Sequence, residues 1–289
     1  GGGLMFAKRP DGRRLKSVDP LQLITGFLMK KRYDAMNMFE DTLNCAVWDE
    51  YIKEKAEQGI KIGYMHIFIA GMVRILALHP RLNRFVMNGK IYARPKIWVS
   101  FVVHPELHID SPDTTIKLMF EGTESILEIT EKINEAIRKE TTLRTEENGT
   151  DKLARFFTSM PSGILHFAVA VLMWMDRHNV MPKQIIELSP FHTSFFITNL
   201  KSLGIGPVYH HTCEFGTNGL FFAIGKEKQV PVVKKETIEV QKRMPFTLVC
   251  DERFCDGLYF ALALRDFKKI MKNPKALETP LDKKIEDAE

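Results

Sequence analysis

Asp251-Glu252-Arg253-Phe254-Cys255-Asp256-Gly257 stands between an apolar run, Pro245 to Cys250, and a segment from Asp256 to Met271 with apolar residues at helical spacing. The run reads as a strand. In the following segment Phe260, Leu264, Phe267 and Met271 line one face of a helix. The stretch is therefore a charged junction between a strand and an amphipathic helix.

Working back from this junction, Gly219 to Ile224 and Ser194 to Leu200 also read as strands. Lys152 to Leu188 is helical in pattern and unusually apolar, and Phe156, Phe157, Ile164, Phe167 and Trp174 lie along it. Burial over a sheet, burial between subunits and a place in a membrane interface are the three readings of that stretch. Ile97 to Val103 and Thr115 to Phe120 read as strands. Ile129, Ile133 and Ile137 put an apolar stripe on a helix from Glu124 to Lys139, and Asn148-Gly149 marks a turn. Tyr64 to Leu78 is apolar on nearly every face, as a buried helix is. Leu21 to Met38 has helical spacing, Thr42 to Val47 is strand-like, and Trp48 to Gln58 is a helix ended by Gly59. No repeat or flexible linker divides the chain, so a single α/β domain over residues 14–275 is expected. Residues 1–13 read as a cloning remnant and flexible arm, with a native start at Met5, and 276–289 as a charged, frayed tail.

A length of 289 residues with 45% apolar content supports a full core. No window approaches the roughly 18 consecutive apolar residues a spanning helix needs. The four cysteines match no common zinc spacing, and reduced thiols in a cytoplasmic protein are the expectation. A net charge of +5 without aromatic-interleaved basic clusters argues against nucleic-acid binding and suits a phosphate-bearing ligand. No glycine-rich phosphate loop, nucleotide fingerprint or nucleophile elbow is present.

Five segments in order resemble the catalytic domain of the dihydrolipoyl acyltransferases of 2-oxo acid dehydrogenase complexes, whose fold chloramphenicol acetyltransferase shares. They are Lys61-Ile62-Gly63-Tyr64-Met65-His66, His79-Pro80-Arg81-Leu82-Asn83, Phe195 to Gly204, Gly219 to Gly225 with Pro231-Val232, and Cys250 to Pro274. The resemblance implies a chloramphenicol acetyltransferase-like fold, with a central mixed sheet flanked by helices. It also implies a homotrimer with active sites at subunit interfaces and coenzyme A as substrate, without a metal. Thr198 maps to the position whose hydroxyl stabilises the oxyanion for a neighbouring subunit. Asp256 maps to the orienting Asp of a His-x-x-x-Asp-Gly motif, and Gly257 to its turn.

At the motif's His position this chain holds Glu252. A glutamate in water titrates near ~4.3 and a thiol near ~8.5, so proton transfer between them is uphill by about 5–6 kcal/mol unless the site is dry. Glu252 thus reads either as a base in a dry channel or as an ion-pairing group at the trimer interface. The bulky Ser194-Phe195-Phe196 replaces the family's small Gly-Gly-Thr lead-in. No lipoyl attachment is read in these residues, so the chain is not expected to be a complete dehydrogenase core component.

His210-His211-Thr212-Cys213-Glu214 is the densest set of bases and ligands. It reads as a base relocated to His210 or His211 opposite Thr198, as a metal site, or as solvated histidines. His66 and His79 read as structural. Two functions follow: acyl transfer between coenzyme A and a small acceptor, or a non-catalytic trimeric module that binds or scaffolds. A small-molecule partner fits both, whereas nucleic acid and membrane do not.

Overall fold

A computed structural model of the chain describes residues 9–103, 114–142 and 159–288. In chain order it begins with β1 (Arg13–Arg14), α1 (Pro20–Leu28), β2 (Met36–Asn44), α2 (Ala46–Glu57) and α3 (Tyr64–Leu78). The hairpin β3 (Arg84–Met87) and β4 (Lys90–Ala93) follows, then β5 (Ile97–Val103), β6 (Thr114–Phe120) and α4 (Ile126–Thr142). The rest is α5 (Ser162–Arg177), α6 (Lys183–Leu188), β7 (Phe195–Asn199), β8 (Leu220–Ile224), β9 (Lys228–Lys234), β10 (Thr237–Asp251) and α7 (Gly257–Met271).

The main sheet has the order β2-β10-β8-β7-β5-β6, and β9 pairs with the first part of β10. β7 is parallel to β5 and to β8, and the other pairings are antiparallel. This is the mixed, helix-flanked sheet expected. β1, β4 and β3 form a small second sheet.

Alternation along the strands sorts the side chains into two faces. Phe101, Phe195, Ile197, Phe222, Phe246 and Leu248 point inward to the core under α3, α4 and α7. Phe68 of α3 meets Phe222, Phe246 and Phe267 edge-on, at 5.4, 5.7 and 5.2 Å between ring centres. Such pairs contribute about 0.5–1.5 kcal/mol each beyond their buried area. Gly71 lets α3 and α7 approach closely, because a methyl group there would stand 2.0 Å from the Met271 Cε. The opposite face carries Ser100, Phe196, Thr198, Phe221, Ala223 and Thr247 and is covered by loop segments.

Several expectations are corrected. The helix expected from Leu21 to Met38 ends at Leu28, and β2 begins at Met36, earlier than the strand read from Thr42. Val47 belongs to α2. The β3–β4 hairpin was missed, although Asn88-Gly89 between apolar runs marks its turn, with φ of 51° and 70°. The β9–β10 extension was missed too. The arm is not loose from Arg9 onward, where the guanidinium pairs with Asp11 and Asp176. Nor is the tail frayed, since Ile285 N donates to Ala77 O and Arg84 grips Asp287.

Burial of the apolar stretch over the sheet fails for α5. Only Asp176 of that helix is buried, and Ile164, Phe167 and Trp174 are more than half exposed. Phe156, Phe157, the start of that stretch at Lys152, and Asn148-Gly149 lie outside the described residues. No helix among the described residues is long and apolar enough to cross a membrane.

Candidate active site

β10 delivers the motif. Its last residue, Asp251, is buried and takes both arms of the Arg253 guanidinium, at 2.8 Å from Nε and 2.6 Å from Nη2. Arg253 Nη1 also donates to Met29 O at 3.0 Å, and the Arg32 Nε stands 3.7 Å from Asp251 Oδ2. Burial alone would weaken the basicity of Arg253, but Asp251 outweighs it and holds the guanidinium above its usual pKa. Glu252 N donates to Ala35 O at 3.0 Å. Phe254 fills the core beneath Gly219, where a methyl group would stand 2.4 Å from the Phe254 Cε1.

The Asp256 side chain accepts from Tyr259 N at 2.9 Å, capping α7, and lies 3.6 Å from Arg81. Its role is structural at the helix end. Cys250 and Cys255 are buried, and burial pushes the Cys250 thiol up to about 12, so it is no nucleophile. The loop is therefore locked, and beside the exposed Asp256 it presents the exposed carboxylate of Glu252. Its Oε2 accepts from Asn37 Nδ2 at 2.7 Å. It borders a cavity of about 480 Å3 with Asp256, Arg81, Arg84 and the first turn of α1.

Thr198 lies elsewhere. It pairs with Ala223 on β8, Ala223 with Thr247 on β10, and Thr247 with Glu40 on β2, all in one row across the sheet. Glu252 follows Thr247 by five positions (252 − 247), and two strand spacings separate Thr247 from Thr198. At ~3.3 Å per residue and ~4.8 Å per strand, Thr198 and Glu252 of one subunit are roughly 19 Å apart. They do not share a proton within one chain.

His210 is closer to Thr198. Its ring stacks on Phe221 at 4.5 Å and 15°, and Phe221 stacks on Phe196 at 4.8 Å and 19°. The loop carrying it is pinned to the same face, with Thr247 Oγ1 donating to Val208 O at 2.6 Å and Tyr209 OH to Glu40 at 3.1 Å. Phe196 precedes Thr198 by two residues and pairs with Phe221. The ring of His210 thus lies over a position roughly 8 Å from Thr198. Burial, then the nearby His211, push the His210 pKa below the usual imidazole value, so it is neutral at pH 7. Its Nε2 is covered and makes no hydrogen bond among the described residues.

His211 is exposed and shares no cluster with His210. No group of His, Cys, Asp or Glu that could hold a metal ion occurs among the described residues. His66 and His79 are satisfied, by Gly63 N with Asn134 and by Asp266 respectively. Phe195 and Phe254 are core residues, leaving Phe196 as the bulky group beside Thr198.

Spacing and composition hold little sign of the buried charge system behind the site. Asp176 Oδ2 and His192 Nε2 stand 3.2 Å apart, without the alignment of a hydrogen bond. Asp176 also takes Arg9 at 2.8 Å and Gly216 N at 3.2 Å, and Ser189 Oγ lies 2.8 Å from His192 Nδ1. Arg32 reaches the carbonyls of Cys213 and Gly216 and so links this system to Asp251.

Residues 193–279 match the model of the 2-oxoacid dehydrogenases acyltransferase catalytic domain. The chain is 24% identical over 247 residues to the dihydrolipoyllysine-residue acetyltransferase component of the acetoin cleaving system of Bacillus subtilis. That match covers 84% of this chain and 50% of the relative, so the chain spans about half the length of the curated protein it matches. Among solved structures, a probable dihydrolipoamide acetyltransferase from Listeria monocytogenes superposes with a TM-score of 0.57 at 14% identity, covering 90% of this chain and 95% of that one. A chloramphenicol acetyltransferase gives 0.52 at 7% identity over 90% of this chain and 99% of its own. The chain has the chloramphenicol acetyltransferase-like fold, and it resembles the dihydrolipoyl acyltransferase catalytic domains in sequence as well.

Proposed function

We propose that the chain transfers an acyl group between coenzyme A and a small thiol or hydroxyl acceptor, and that a homotrimer completes the site. The observation that carries this reading is the His210 ring, held by stacking on the same sheet face as the Thr198 hydroxyl. In the proposed step the acceptor attacks the thioester carbonyl while His210 takes its proton. The Thr198 hydroxyl donates to the oxyanion, and the proton goes to the departing coenzyme A sulfur. Oxyanion donors of this kind contribute about 3–4 kcal/mol when well aimed. Glu252 then lines the acceptor cavity, and the roughly 19 Å from Thr198 means that any direct partnership between them crosses a subunit boundary. Four free cysteines suit a reducing, cytoplasmic setting.

A second reading, a non-catalytic binding or scaffolding module, draws on two contacts. Glu252 is exposed and already bonded to Asn37, and the His210 Nε2 is shielded.

The test is acetyl transfer from acetyl-coenzyme A to dihydrolipoamide, followed by chromatographic loss of acetyl-coenzyme A and appearance of S-acetyldihydrolipoamide. His210→Asn and Thr198→Val should each lower kcat by about 100-fold, while Glu252→Gln stays within about threefold of wild type. The reverse ranking would hand the base role to Glu252. Binding of acetyl-coenzyme A with no turnover by wild type would establish the non-catalytic module.

A further inference from the structure

A larger cavity lies on the far side of the C-terminal segment from Glu252. It measures about 610 Å3 and sits between residues 9–16, the end of α3 and the edge of the small sheet. Leu76, Ala77, Pro80 and Ile97 give it an apolar floor. Its rim is cationic, with Arg13, Arg14, Lys16 and Lys284 facing only Glu286 and Asp287. Arg9 and Arg94 also border it, but both are buried and committed, Arg9 to Asp11 and Asp176, Arg94 to Thr193 and Thr217. Lys284 reaches Pro95 O, and Arg13 reaches the carbonyls of Asp287 and Ala288. Arg14 and Lys16 are exposed and make no hydrogen bond or ion pair among the described residues.

The C-terminal residues form a strap across this cavity. Leu281 N donates to Thr123 O at 3.0 Å and Ile285 N to Ala77 O at 2.8 Å. Beyond them Arg84 holds both carboxylate oxygens of Asp287, each at 2.6 Å, with both side chains nearly buried. Asp287 lines the larger cavity, whereas Arg84 and Ala288 line the one that contains Glu252. The Arg84–Asp287 pair is thus the wall between the two.

We propose that the larger cavity binds a phosphorylated small molecule with an apolar or aromatic body, and that Asp287 is an internal anion which the phosphate displaces. Three features support this. The two-armed grip of Arg84 on a carboxylate is the geometry that guanidinium also offers a phosphate. The volume falls within the range of small-molecule sites, and an apolar floor under a charged rim suits a nucleotide-like shape. The uncommitted Arg14 and Lys16 leave the rim with more positive charge than the strap neutralises. The strap is tied at its end by one ion pair and few backbone bonds, so its release leaves the sheet and α3 intact. This site stands apart from acyl transfer and does not depend on Glu252 or His210.

Calorimetric titration of the full chain with adenosine monophosphate and with inorganic pyrophosphate tests it. Adenosine monophosphate should bind, and pyrophosphate more weakly, because it leaves the apolar floor uncovered. Arg14→Ala/Lys16→Ala, at exposed positions, should weaken binding by about tenfold. Asp287→Asn should tighten it by about threefold or more, since the competing anion is gone. In wild type, saturating adenosine monophosphate should speed deuterium uptake at the Ile285 amide. Absence of binding by either probe, or equal affinity of wild type and the double variant, would overturn the site. Slower uptake at Ile285 on binding would overturn displacement of the strap.

Discussion

The motif loop and the outer face of the sheet solve opposite problems. The loop at residues 251–256 spends its buried charges on holding itself still, and its exposed carboxylates, Glu252 and Asp256, face an open cavity. The outer face carries few charges, yet it holds an imidazole, stacked on Phe221, and the Thr198 hydroxyl on the same side of the sheet. The place where the sequence resembles a catalytic motif is thus rigid and wet. The outer face, with its Phe196–Phe221–His210 stack, is better shielded. A locked loop does not by itself indicate chemistry, because the lock serves the α7 cap and the strand end equally well.

The contrast breaks first at Arg253. Removing it leaves Asp251 buried with Arg32, at 3.7 Å, and the backbone N–H of residue 253, at 3.1 Å, for compensation. Breaking a buried pair in this way costs about 3–5 kcal/mol. Arg253→Ala should lose on the order of that amount in urea denaturation, and the α1–loop contact through Met29 O with it. A loss below about 1 kcal/mol would show that the loop is not held by these charges.

Asp176 sharpens the contrast from behind the outer face. Burial pushes its carboxyl up, but His192 and Arg9 outweigh that and hold it down at about 2, against an ordinary 3.8. A depressed carboxylate pKa means stability that is present above pH 3.8 and lost as pH falls towards 2. The difference corresponds to about 2 kcal/mol. Wild type should therefore lose that increment over this acid window, and Asp176→Asn should show a flatter profile there while being less stable at pH 7. Parallel profiles would remove Asp176 as an anchor of the segment beneath His210.

The inner half of the molecule was legible because its periodicities are unambiguous. The all-apolar α3, the stripe of α7 and the alternation of Ile97 to Val103 each allow one placement. The charged half was not. Arg9, Arg32, Asp176 and Asp251 are residues normally exposed, and nothing in their spacing says that they pair inside. The α1 pattern ran on to Met38 because Met36 and Met38 fit helical spacing as well as a strand edge. The exposed apolar face of α5 looked like core for the same reason, since hydrophobicity specifies that a face seeks cover and not what supplies it. Thr198 was legible by resemblance, but its neighbourhood with His210 depends on the loop at 206–211 folding back over the sheet, a long-range fact.

The smallest effect belongs to Glu252 itself. Its carboxylate is exposed, it accepts a hydrogen bond from Asn37, and the loop beneath it is held by other groups. Surface substitutions of this kind stay within about 0.5 kcal/mol, so Glu252→Ala should unfold in urea almost as wild type does. That near-silence separates two explanations for the residue. If Glu252 served to lock the loop, its loss would approach that of Arg253. If it serves the cavity, stability stays level and only ligand or acceptor affinity moves. A loss above about 1.5 kcal/mol would merge the motif loop's rigidity with its exposed group, and the contrast with the outer face would no longer hold.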